Sequence, residues 1–276
     1  MEAAQCTSKK LAGAVGAEIT NIDLTQLNNL SFNDIRAALF SHGMIVIRDQ
    51  NLTPEAHIAL AERFGPIDIN RFFTPVDTHP MIAEVRTKPE MTHVIGGKWH
   101  TDHSYDPVPA MCSILAARAL PPFGGDTLFA SMTAAYEGLS DGLKQTLRTL
   151  RAVHSDGSFA QSNVGIDAQT SAFRQPVVHP VVIAHPTTGA PCLYVNGDFT
   201  LNFEGWTPQE SAPLLSYLFA HATRPEYSCR VTWKAGSAAI WDNRLVQHFA
   251  CADYAGHGRL MHRITVEGET LAPYST

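Results

Sequence analysis

Two short histidine-acid pairs are the parts of this sequence best suited to chemistry. His100-Thr101-Asp102 and His154-Ser155-Asp156 each hold an imidazole and a carboxylate two residues apart. On a strand or at its end that spacing puts both on one face, as a metal site needs. Thirteen histidines and fourteen aspartates in 276 residues yield roughly 0.7 such pairs by chance, so spacing alone selects neither. Context separates them. The first copy sits in Trp99-His100-Thr101-Asp102-His103-Ser104-Tyr105, after Gly96-Gly97 and before Pro107 and Pro109, which suits a rigid site entrance. The second runs into Gly157-Ser158-Phe159 with no further ligand close by, and reads as structural.

A third ligand must come from a distant position, and the C-terminal region offers His248 and His262. His248 and Arg259 flank a turn expected at Ala252 to Gly258, so two antiparallel strands could set them side by side. On the second of these strands Arg259, Met261 and Arg263 share one face, while Leu260, His262 and Ile264 take the other. His262, facing away, reads as a core histidine. Two guanidinium groups aimed into one cavity are costly to bury unpaired. Either an anionic ligand relieves that cost, ideally a carboxylate held by both arms of the fork, or structural acids such as Asp253 do.

Other chemistries are absent. The sequence has no G-x-S-x-G, H-E-x-x-H, G-x-x-x-x-G-K-[ST] or G-x-G-x-x-G, which removes the common hydrolase, zincin and nucleotide-binding readings. With 20 Lys and Arg against 26 Asp and Glu, a formal charge of −6, the chain has no excess positive potential for a phosphate backbone, and no nucleic-acid partner is expected. Five dispersed cysteines (Cys6, Cys112, Cys192, Cys229 and Cys251), with no C-x-x-C, fit a reducing cytoplasm. No stretch approaches a membrane span, so no membrane partner is expected.

The elements that must position these residues are mostly strands. Helices are signalled at Ser31 to Phe40, at Thr53 to Phe64 and after Thr207, where Thr207-Pro208-Gln209-Glu210 is a capping box with proline at the first helical position. Strands are expected at Met44 to Arg48, Met81 to Arg86, Met111 to Ala117, Thr127 to Ser131, Val177 to Ala184, Cys192 to Val195, Tyr227 to Trp233, Ala238 to Trp241 and Arg259 to Val266. They follow one another instead of alternating with helices, so a sandwich or jelly roll is expected over a doubly wound sheet. Composition marks no domain boundary, and residues 1–276 read as one domain.

In this arrangement the chain resembles the Fe(II)- and 2-oxoglutarate-dependent dioxygenases of the taurine and phenoxyacetate (TauD/TfdA) type. The resemblance runs from Gly16-Ala17-Glu18-Ile19 through Trp99-His100-Thr101-Asp102 and Gly124-Gly125-Asp126-Thr127-Leu128 to Trp241-Asp242-Asn243-Arg244 and Met261-His262-Arg263. It implies a double-stranded β-helix, a clavaminate synthase-like jelly roll of α+β class flanked by helices. It also implies that His100, Asp102 and His248 hold Fe(II), that Thr127 and Arg259 hold the far carboxylate of 2-oxoglutarate, and that O2 completes the reaction. The activity implied is hydroxylation of a small organic substrate, often with C–O, C–S or C–N cleavage, coupled to decarboxylation of 2-oxoglutarate to succinate and CO2. A homo-oligomer, dimer or tetramer, is implied as well.

The substrate region departs from the taurine-cleaving pattern, with Asn70-Arg71-Phe72-Phe73 and Gly96-Gly97-Lys98 standing where other residues grip taurine. Arg263 matches a sulfonate-binding arginine and Phe199 an aromatic wall. Arg71 beside Phe72 and Phe73 suits a carboxylate on an aromatic or apolar body, nearer an aryloxy acid than taurine. His103, next to the metal motif, is either a substrate contact or a structural imidazole. The stretch from Thr87 to Lys98 is expected to form an active-site loop or lid. Two other classes stay in view: a jelly-roll binding protein with a structural or vestigial metal site, and a zinc hydrolase using the same three ligands.

Overall fold

Alternation in the apolar strands decides which way each residue faces. In β3 (Met44–Ile47) all four residues are buried, Met44 and Val46 on one side and Ile45 and Ile47 on the other. A strand apolar on both faces belongs in the middle layer of a three-layer structure. The computed structural model, which describes residues 6–91, 94–157 and 175–275, shows this.

The middle layer is a nine-stranded sheet. Its order is β1 (Thr7–Lys10), β2 (Ala17–Thr20), β3, β15 (Ala238–Asp242), β7 (Cys112–Ala119), β17 (Arg259–Val266), β6 (His79–Thr87) and β5 (Pro75–Val76), with β4 (Ile67–Asp68) added to β17. Pairing among the described strands is antiparallel except between β2 and β3.

Helices α1 (Asn29–His42) and α2 (Pro54–Glu62) cover one face, where Ile35, Leu39 and Leu60 meet Ile45, Ile114, Ile240 and Ile264. Both helices start where a side chain satisfies a free N–H. Asn28 accepts from the Ser31 amide at 2.9 Å, and Thr53 accepts from that of Ala56 at 3.2 Å. Gly43 closes α1 at φ 73°, and a side chain there would meet Val246 Cγ1 at 2.7 Å.

The other face meets smaller sheets. One is β14 (Ser228–Val231), β8 (Thr127–Ser131) and β16 (Val246–Ala250); a second is β10 (Val177–Pro180), β9 (Arg151–His154) and β13 (Thr200–Phe203); a third pairs β11 (Val182–Ala184) with β12 (Pro191–Leu193). Between the layers Leu115, Trp241 and Met261 of the large sheet pack with Phe129, Val182, Leu193, Phe203 and Val246. Helices α3 (Met132–Glu137), α4 (Asp141–Arg148) and α5 (Pro208–Ala222) complete the outer side. The capping box of α5 forms as expected, with the Thr207 amide donating to Glu210 at 2.8 Å and the Glu210 amide to Thr207 at 3.3 Å. Among the described residues no helix is long and apolar enough to cross a membrane.

Two expectations change. The run Val177 to Ala184 is two strands in different sheets, because Pro180 lacks the N–H to continue the ladder and the chain crosses over at Val181. His248 and Arg259 are not neighbours on a hairpin. β16 belongs to a small sheet and β17 to the large one, so the two residues approach from opposite layers.

Candidate active site

The space between β16 and β17 is where the two layers part, and chemistry-bearing residues line it. His100, Thr127, His248, Arg259 and Arg263 form its polar wall, and Phe73, Val85, Ile95, Leu115 and Trp241 its apolar wall.

His100, Asp102 and His248 are all buried, with one ligand atom of each within 4.8 Å of the others. The loop that bears His100 is tied to β16 by the backbone itself. The His100 amide donates to the His248 carbonyl at 3.1 Å, and the His248 amide returns the bond at 2.9 Å. His100 Nδ1–H donates to the Lys98 carbonyl at 2.8 Å, which leaves the lone pair on Nε2. That Nε2 lies 3.7 Å from Asp102 Oδ1, and His248 Nε2 lies 3.9 Å from the same oxygen. Burial first, then the neighbouring His100, pushes the His248 imidazole well below its ordinary pKa, so it stands as a neutral ligand. Burial alone would raise the Asp102 carboxyl. Arg263, then His248, His100 and His103, overcome that and hold it well below the usual carboxylate range. Two imidazoles and one carboxylate converging on a point are the donor set of a divalent iron site.

Arg259 is the second feature. Its Nε has no partner among the described residues, and burial lowers its pKa. Asp253, the structural acid named from the sequence as its partner, is engaged elsewhere: it accepts from the Gly125 amide at 2.8 Å and from Arg230 at 2.8 Å. Thr127 stands on the same wall, its Oγ1 accepting the Trp233 indole N–H at 3.0 Å, so its own hydrogen is left to donate. A buried cation beside a free hydroxyl donor is a seat for a carboxylate.

Arg263 donates to Asp102 Oδ1 at 3.1 Å and lies over the Phe73 ring at 4.6 Å. Asn70 shapes the loop that delivers Phe73, its side chain accepting from the Phe72 and Phe73 amides at 2.8 and 3.2 Å. Other residues named from the sequence stand apart from the cavity wall. Arg71 pairs with Asp106 at 3.1 Å and Asp156 at 3.3 Å, so two carboxylates already occupy the guanidinium expected for substrate. His103 has its Nδ1 3.1 Å from Asp68 and 3.2 Å from Asp106, and its Nε2 3.3 Å from Asn70. Those contacts favour its structural reading. Phe199 is fully buried and meets the His100 ring edge-on at 5.9 Å, a support behind the ligand.

In the second histidine-acid pair His154 Nδ1 lies 3.3 Å from Ser104 Oγ, and Asp156 receives Arg71, as a structural pair should. His262 lies on the helix side of the large sheet, near His57. Ile95 and Gly96, from the stretch read as a loop or lid, line the cavity, while Thr92 and His93 lie outside the described residues. Ser113, which touches Asp102, and Trp233, which touches Thr127, carry no motif and could not be picked out from the sequence.

Residues 7–265 match the model of the taurine catabolism dioxygenase TauD, TfdA family. The chain belongs to this family. Its relatives include an alkylsulfatase of Acinetobacter baylyi, 34% identical over 96% of this chain and 86% of that protein. Another is an (S)-phenoxypropionate/alpha-ketoglutarate-dioxygenase of Sphingobium herbicidovorans, 32% identical over 94% of each. A taurine dioxygenase from Burkholderia xenovorans superposes with a TM-score of 0.84 at 34% identity, covering 97% of this chain and 93% of the other. AAD-2, solved with Mn(II) and N-oxalylglycine, superposes at 0.81 with 28% identity, covering 98% of this chain and 100% of the other. The fold is therefore the double-stranded β-helix, as expected. The chain is an Fe(II)- and 2-oxoglutarate-dependent dioxygenase, and neither the binding-protein nor the zinc-hydrolase reading is favoured.

Proposed function

We propose that this dioxygenase hydroxylates a small organic anion, an aryloxy or other organic acid or a sulfonate-like compound, at a carbon whose bond to O, S or N then breaks. The observation that carries the anion is Arg263, a buried guanidinium on the cavity wall that stacks on Phe73, gives one N–H to Asp102 and has no partner for its Nε among the described residues. The apolar wall of Phe73, Val85, Ile95 and Leu115 suits the body of such a substrate and keeps water out.

In this reading Nε2 of His100, Nε2 of His248 and Oδ1 of Asp102 hold Fe(II), and Arg259 with Thr127 holds the far carboxylate of 2-oxoglutarate. Bound Fe(II) and 2-oxoglutarate supply the oxidising chemistry, with O2 consumed and succinate and CO2 released. The chain's own part is placement: Arg259 and Arg263, four residues apart on one face of β17, fix two anions in the same cavity as the three ligands. The same reading has the enzyme working in the cytoplasm, in keeping with five cysteines that are all free thiols, and as a homo-oligomer on family resemblance.

The test is an anaerobic titration of metal-free protein with Fe(II) and 2-oxoglutarate, followed by the visible charge-transfer band of the chelate, with His100→Ala as control. Succinate release is then measured with a panel of aryloxy acids, alkyl sulfates and sulfonates. A band lost in the control, with release stimulated by an aryloxy acid or sulfate ester, is expected. A missing band overturns the metal assignment, and succinate release that no organic acid, sulfate ester or sulfonate of the panel stimulates overturns the substrate class.

A further inference from the structure

Asp102 has a second oxygen, and what holds it has a direction. The indole N–H of Trp241 can only donate, and it points at Asn243 Oδ1 at 2.9 Å. That contact fixes the amide: the carbonyl end faces the indole, and Nδ2 faces Ser113, donating to its Oγ at 3.2 Å. Ser113 has one hydroxyl hydrogen, and it goes to Asp102 Oδ2 at 2.7 Å. Ser113 is wholly buried and Trp241, Asn243 and Asp102 nearly so, so water offers no competing partner. This series of bonds is compact because Trp241 and Ser113 lie directly opposite each other on β15 and β7, and the backbone N–H of Asn243 donates to the Met111 carbonyl at 2.9 Å.

We infer that Trp241, Asn243 and Ser113 form a one-way hydrogen-bond relay whose task is to make Asp102 a ligand through one oxygen only. The inference deepens the function proposed above and rests on its metal assignment. A short O–H···O contact to a carboxylate is a strong, charge-assisted bond, and it holds Oδ2 away from the metal position while Oδ1 faces both imidazoles. The consequence concerns vacancy. With Fe(II) bound, two imidazoles and one carboxylate oxygen would leave the ion open to further ligands, whereas a carboxylate binding through both oxygens would close part of that opening. Ser113, Asn243 and Trp241 are thus positioning residues, and partners of this kind typically alter metal affinity by about 10–100-fold.

The test uses Co(II) in place of Fe(II), because its visible ligand-field bands report coordination number without turnover. Metal-free wild type, Ser113→Ala, Ser113→Thr and Ser113→Val are titrated anaerobically against a chelator of known affinity. Threonine and valine have the same shape, so the extra methyl in a buried strand cancels and only the hydroxyl differs. We expect Ser113→Ala and Ser113→Val to bind Co(II) about 10–100-fold more weakly than their hydroxyl-bearing counterparts, with altered band positions and intensities. Ser113→Thr should keep the wild-type spectrum. Equal affinity and identical spectra for the Thr and Val variants overturn the relay. Should those two fail to fold, an unchanged affinity and spectrum in Ser113→Ala overturns it alone. If wild type itself binds no Co(II), the metal assignment falls and the relay with it, a result distinct from binding that is indifferent to Ser113.

Discussion

Replacing Arg259 with methionine should separate the stability of the protein from its hold on the cosubstrate. The residue is 6% exposed, its Nε has no partner among the described residues, and burial depresses its pKa, all signs of a cation that is costly to bury without an anion beside it. Methionine keeps the aliphatic stem where it packs, beside Gly125 and over Trp233, and removes the charge. Exchanging buried charge for apolar volume is neutral or stabilising, and we take about 1 kcal/mol as the gain, or about 2 °C in Tm for a chain of this size. Binding should move the other way. A bidentate guanidinium-carboxylate contact is two charge-assisted bonds of about 1.5–3 kcal/mol each. A loss of about 3–6 kcal/mol at 1.4 kcal/mol per decade is roughly a hundredfold to ten-thousandfold in Kd. Thermal unfolding of the metal-free protein and calorimetric titration of the metal-loaded protein with 2-oxoglutarate read the two effects. Arg259→Lys, a point charge without the fork, should fall between. A methionine variant that unfolds several degrees earlier, or binds 2-oxoglutarate as wild type does, refutes the reasoning.

Gly125→Ala should impair the same seat from behind. Gly125 has φ 69°, and a side chain there would meet Arg259 Cδ at 3.3 Å and Pro121 Cγ at 3.2 Å. The left-handed backbone alone costs about 1–2 kcal/mol, so denaturant unfolding should show that loss and calorimetry a weaker 2-oxoglutarate affinity. Acid should destabilise the fold partly through His57. Burial, then the nearby Arg118, lowers its pKa to about 3. The unfolded chain therefore takes up a proton near pH 6.5 that the folded one refuses, and stability falls as pH drops through that window by up to about 1.4 kcal/mol per unit. His57→Met should flatten this dependence in urea titrations at pH 7 and pH 5, and an unchanged slope counts against the assignment.

Spacing brought out two histidine-acid pairs, context preferred His100 and Asp102, and only the family resemblance joined the distant His248 to them, whereas the long helix was legible directly because Thr207 and Glu210 are three apart. Period-two alternation in β17 likewise placed Arg259 and Arg263 on the cavity side and His262 on the other. Failures came where a partner is distant in the chain. Nothing near Arg71 announces Asp156, 85 residues on, yet that contact, with Asp106, occupies the guanidinium. Ser113 is one serine among many until β15 is set against β7. The supposed hairpin between His248 and Arg259 failed because a turn between two strands does not say whether they pair in one sheet or part into two layers.

The reciprocal backbone bonds between His100 and His248 bear on how firmly the two rings are tied to the fold. Residues 148 apart in the chain are joined by main-chain N–H and carbonyl groups, so the spacing of the imidazoles is set by the backbone as well as by their side chains. Sliding the His100 loop along β16 would break both bonds inside a buried site, where main-chain groups left without partners are costly. Substitutions that only loosen side-chain packing around the rings should therefore disturb their separation less than a change that shifts the register of this one bridge.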